Sequence, residues 1–75
     1  MNHLERAVAY VRKNVDMADV AHAKAKLGER EPLFRINHIL CDDIYDLMEE
    51  YGEENELHEG WWLNECDEED ILFKL

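Results

Sequence analysis

The sequence predicts a small, mainly α domain of two or three helices in a bundle, closed at its C-terminus by a β-hairpin or a short helix. Three observations predict this. Apolar residues recur at three- and four-residue steps through most of the chain, the period of one helical face. Glycine and proline are scarce, at three and one, and fall between the periodic stretches. Hydrophobic residues at 47% and charged residues at 36% make a globular balance rather than a disordered one. A small α+β fold is the alternative if the hairpin forms.

Seventy-five residues make a single domain, 1–75, near the lower limit for a chain stabilised by its core alone. Such a core supplies about 3–5 kcal/mol net, so binding a partner or a second copy is a natural supplement. A deep substrate cleft is not expected, because there is too little chain to wall one.

The first helix starts after Asn2, a capping residue with Glu5 three positions on. Leu4, Ala7, Val8, Val11 and Val15 share one face. Beyond Asn14 two readings stand. The helix runs on, with Ala18, Ala21, His22 and Ala25 extending the stripe to Leu27, or Asp16 caps a second short helix. Gly28 is the stop in either case.

Pro32 opens the next helix, in the first turn where proline is welcome. Leu33, Ile36, Leu40, Ile44, Leu47 and Tyr51 form one apolar row, with Phe34, Cys41, Tyr45 and Met48 beside it. The opposite face carries Arg35, His38, Asp42, Asp46, Glu49 and Glu53, and Gly52 is expected to end the helix. A charged loop, GEENELHEG, follows. We read WWLNECDEEDILFKL as a hairpin pairing Trp61–Glu65 with Ile71–Leu75. The alternative is a short helix capped by Asp67, whose first positions Glu68, Glu69 and Asp70 suit the positive helix end.

Charge is divided unevenly. Residues 1–38 hold seven Lys or Arg against five acids, whereas residues 39–75 hold fourteen acids against Lys74, giving +2 and −13 within a net −11. Phosphate would be repelled by the acidic half, so direct nucleic-acid binding is not expected. The scattered cations of the N-terminal half make no recognition helix. No stretch has the length of a membrane span, and MNHLERAVAYVRKNV has no export-signal core. Cys41 and Cys66 are too few for a disulfide framework. A reduced, cytoplasmic protein is the expectation, without membrane association or cofactor.

No nucleophile, phosphate-loop or metalloprotease motif occurs, and the acids lie on solvated faces, so no enzyme is expected. The leading reading is a non-enzymatic protein–protein interaction module. It binds a basic protein partner, or itself as a homodimer, through the acidic C-terminal half. Trp61 and Trp62 cannot share a face. One indole is expected to plug the core and the other to form a binding anchor ringed by acids, unless both pack on opposite sides of a hairpin.

A rival reading takes Asp42, Asp46, Glu49 and Glu53, about 5–6 Å apart along the helix, as a mimic of DNA phosphates that blocks a nucleic-acid-binding protein. A more distant one gathers His38, Cys41, His58 and Cys66 into a zinc-stabilised site. Against it, a lone cysteine in an apolar row is ordinarily a small buried hydrophobe. No metal is therefore assigned.

Overall fold

A computed structural model describes residues 2–75, and among them the chain is helical with turns and no strand. The helices are α1 (His3–Asn14), α2 (Met17–Leu27), α3 (Leu33–Ile36), α4 (His38–Glu54) and α5 (Glu68–Lys74). Helix α4 is the centre: α1, α3 and α5 pack on it, while α2 closes against α3 and α5. Four helix starts are set by short polar side chains, Asn2, Asp16, Asn37 and Asp67, and of these only Asn37 was not anticipated from the sequence.

The first boundary inside the chain is the break between α1 and α2. Val15 leaves helical geometry at φ −123°, ψ 157°, and the Asp16 carboxylate accepts from the Ala18 amide at 2.8 Å. Of the two readings, the second helix capped by Asp16 is the one formed. The break rotates the buried face: Val20 and Ala23 enter the core, whereas Ala18, Ala21, His22 and Ala25 are exposed. The continuous alanine stripe does not form.

The second boundary divides the helix expected from Pro32 onward. Asn37 lies at φ −153°, ψ 91°, and its side chain accepts from the Leu40 amide at 3.0 Å, capping α4. Asparagine does this readily, because its short side chain competes with the helical backbone bond. Pro32 precedes α3 as its cap residue. The break leaves Phe34 exposed while Leu33 and Leu40 remain in the core.

At its far end α4 does not stop at Gly52. It continues to Glu54 and closes with the Leu57 amide bonded to the Gly52 carbonyl at 2.8 Å and the Glu56 amide to the Glu53 carbonyl at 3.3 Å. This is the paired-bond helix ending known as a Schellman motif. The left-handed position it requires is taken by Glu56, at φ 60°.

The tail forms no hairpin. Residues 58–66 are a series of turns, in which Trp61 N bonds to His58 O, Leu63 N to Gly60 O and Cys66 N to Trp62 O at 3.0–3.2 Å. Then Asp67 and Asp70 cap α5 reciprocally, each side chain accepting from the other's amide at 3.0 and 3.1 Å. Ile71 and Leu72 are both fully buried. Neighbours on a strand point to opposite faces, whereas on a helix they lie about 100° apart and can enter one core together. The short helix, the alternative to the hairpin, is therefore the tail's structure.

The core comprises Ala7, Val8, Val11, Val20, Ala23, Leu33, Leu40, Ile44, Met48, Tyr51, Trp62, Cys66, Ile71 and Leu72. No helix among the described residues is long and apolar enough to cross a membrane.

Candidate functional site

Both tryptophans are held against the C-terminal half of α4. Trp62 is completely buried and lies edge-on to Tyr45, with ring centres 5.7 Å apart. Its indole N–H donates to Glu49 Oε2 at 3.1 Å. Burying so large a ring contributes about 1.5–3 kcal/mol, which anchors a tail otherwise loosened by its own charge.

Trp61 is only partly buried. Its indole N–H donates to the Met48 carbonyl at 3.1 Å, and its ring packs near Tyr51 and His3 at 5.8 and 6.3 Å. Gly52 makes room for it: a Cβ there would stand 2.6 Å from Trp61 Cδ1 and Nε1. One indole thus plugs the core, as one of the sequence readings has it. The other lies against α4 with its polar atom already bonded.

The acidic row of α4 is not uniform either. Asp42, Asp46 and Glu53 are exposed. Glu49 is half-buried and turned inward, with Oε1 accepting from the Gly60 amide at 2.8 Å and Oε2 from Trp62. Each oxygen of this carboxylate holds the tail to the helix. Asp42 pairs with His38 Nε2 at 3.0 Å. On the neighbouring face Glu50 accepts from the Tyr10 hydroxyl at 2.6 Å, and this hydrogen bond to a carboxylate is the main reason the Tyr10 pKa is pushed up to about 12.

The four residues of the zinc reading are not gathered. His38 faces Asp42, and the Cys66 thiol lies against the Trp62 carbonyl at 3.7 Å. No group of three or more His, Cys, Asp or Glu among the described residues is placed to hold a metal ion. Burial raises the pKa of Cys41 and of Cys66, and neighbouring carboxylates add to it. Both thiols are thereby kept in the unreactive protonated form.

A feature that helical periodicity hid lies at the other end of the bundle. Phe34 and Phe73 are each 59% exposed. Two shallow hollows adjoin there. One, of about 460 Å³, is lined by Phe73 and Leu27; the other, of about 160 Å³, by Phe34 and Cys41. Pro32, Asp67 and Glu69 border both. Glu69 also ties α5 to α3 by accepting from the Leu33 amide at 3.3 Å. A sequence signal existed: Phe34 lies beside the main apolar row, and Phe73 is preceded by two apolar residues that already fill the helix's inner side.

Ion pairing leaves the acids largely unneutralised. Among the described residues the pairs within 4.0 Å are Lys26–Glu29 and His38–Asp42. None of the fourteen carboxylates of residues 39–75 is paired with a lysine or arginine.

No protein-family model matches the chain, and no curated protein or solved structure is significantly similar to it.

Proposed function

We propose that the protein is a non-enzymatic interaction module that binds a protein partner with a basic surface through its acidic half. The observation that carries this reading is the unpaired charge. Residues 39–75 carry −13, and no lysine or arginine of the chain stands within ion-pair distance of any of it. A field of that size steers a positively charged partner and rejects acidic ones. The groups with raised pKa values are tyrosines and thiols in structural contacts.

Mimicry of nucleic acid draws less support. Glu49 is turned into the fold, which leaves a step of seven residues, about 10 Å of helix, from the exposed carboxylate of Asp46 to that of Glu53. A phosphate-like row along that face is interrupted.

Immobilised full-length chain, exposed to an extract of its native cells after nuclease treatment, tests the proposal. Expected is retention of a protein that elutes as salt rises from about 0.05 to 0.5 M, because exposed charges are screened over that range. The Asp43→Lys, Asp46→Lys, Glu53→Lys triple variant should retain less of it. Retention of nucleic acid alone, or equal retention by the variant at every salt concentration, would refute the reading.

A further inference from the structure

We propose that the surface between Phe34 of α3 and Phe73 of α5 is the docking site for a basic amphipathic segment of a partner protein, with apolar side chains of the segment seated against the two rings. This rests on the interaction-module reading and deepens it by naming the surface and the chemistry that fits it.

Two kinds of observation converge. The first is apolar exposure: Phe34 meets only the edge of the exposed His38 ring, at 5.1 Å, among the aromatic contacts of the described residues, and among these no aromatic contact holds Phe73. Each ring is 59% exposed, although α3 and α5 each bury other residues that secure their packing, Leu33 in one and Ile71 and Leu72 in the other. An isolated exposed ring needs no explanation, but two rings edging adjoining hollows make a patch. The second is charge. The wall shared by the two hollows carries Asp67 and Glu69, and Glu31, Glu68 and Asp70 edge one or the other, against the single cation Arg30. Aromatic anchors within a charged rim are the anatomy of a binding hot spot.

The charge also selects the occupant. A second copy meeting this surface face to face would set carboxylates against carboxylates, which is repulsive. An anionic lipid surface would be repelled in the same way. A segment with Lys or Arg flanking its apolar positions satisfies both the rings and the rim, in the manner of an amphipathic helix laid into a groove.

The test uses the isotope-labelled full chain and two synthetic peptides of equal charge, one a Lys/Leu amphipathic helix and one with serine in place of leucine. The Lys/Leu peptide should shift the backbone amides of Leu33, Phe34, Glu69 and Phe73. Its affinity should fall about tenfold in each of Phe34→Ser and Phe73→Ser, the share of an anchor residue. The rings are exposed, and the unbound spectra show whether each variant keeps its fold; the map of shifts on the unsubstituted chain stands independently of any variant. Equal binding of the Lys/Ser peptide, or shifts confined to α4 around Asp46 and Glu53, would overturn this surface and leave the acidic module standing. No binding of either peptide up to about 1 mM, some 4 kcal/mol of affinity, would overturn both. Shifts of the same amides with protein concentration alone would give the surface to a second copy and overturn the peptide assignment.

Discussion

Replacing Gly52 with alanine separates local from tertiary control of stability. Gly52 lies inside α4, and by intrinsic preference alone the substitution should stabilise the helix by about 0.8–1.0 kcal/mol. The tertiary structure opposes it. The new Cβ would stand 2.6 Å from Trp61 Cδ1 and Nε1, so the indole must move away from α4. Overpacking of this kind costs about 1–3 kcal/mol, and the hydrogen bond from Trp61 to Met48 would take with it about 0.5–1.5 kcal/mol. After the helix-forming gain is subtracted, a net loss of about 1–3 kcal/mol remains. In a domain of this size that lowers Tm by about 5–20 °C. Thermal unfolding followed by circular dichroism reads the shift, and tryptophan fluorescence should move to longer wavelength as the indole is wetted. The same substitution made in a Trp61→Ala background should instead stabilise, because the clash is gone and the helix preference is left. An increase in Tm for Gly52→Ala in the otherwise unchanged chain would refute the argument, as would an equal loss in both backgrounds.

Two further outcomes follow from the same geometry. Glu49→Ala removes the acceptor of the buried Trp62 indole and of the Gly60 amide and should cost about 2–4 kcal/mol, while Asp46→Ala, one turn earlier and exposed, should stay within about 0.5 kcal/mol in denaturant unfolding; similar losses would mean that Glu49 is an ordinary surface acid. The hydroxyl of Tyr10 should titrate near pH 12 in ultraviolet absorbance. A pKa raised by folding stabilises the native state below the ordinary tyrosine value of about 10, and that contribution is lost as pH climbs through about 12. Glu50→Gln should bring the titration down toward the ordinary value, and an unmoved titration would show that the Glu50 contact is not its cause.

Much of the local structure was legible because it is fixed by neighbours in sequence. Asn2, Asp16 and Asp67 are capping residues by chemistry, and each accepts a backbone amide in the fold. Of the apolar row, Leu33, Leu40, Ile44 and Tyr51 enter the core while Ile36 and Leu47 pack half-buried against it, because within α4 the three- and four-residue spacing keeps these positions on one side. The charge contrast between the halves is a property of composition alone and survives folding unchanged. Less legible were the breaks. Asn37 looks like any polar residue of a helical face until its backbone leaves helical geometry and its side chain caps α4. The alanine period through α2 pointed to the wrong face, because Val20 brings more apolar surface to the core than Ala18 or Ala21.

The candidate site divides in the same way. The acidity of residues 39–75 was determined by the sequence. Which carboxylates remain free was not. Glu49 and Glu53 are four residues apart on one row, yet the first is bonded through both oxygens to a segment more than ten residues away and the second is exposed. Trp61 and Trp62 are chemically identical neighbours, separated only by where α4 presents a bare glycine and where it presents a carboxylate. Phe34 and Phe73, far apart in the chain, come to border adjoining hollows because α3 and α5 both pack on α4 and α2, with Glu69 of α5 bonded to the Leu33 amide of α3. Periodicity and capping act over three or four residues. Pairings across fifteen or forty are decided by which surfaces the whole chain can bury together, and that decision belongs to the tertiary structure.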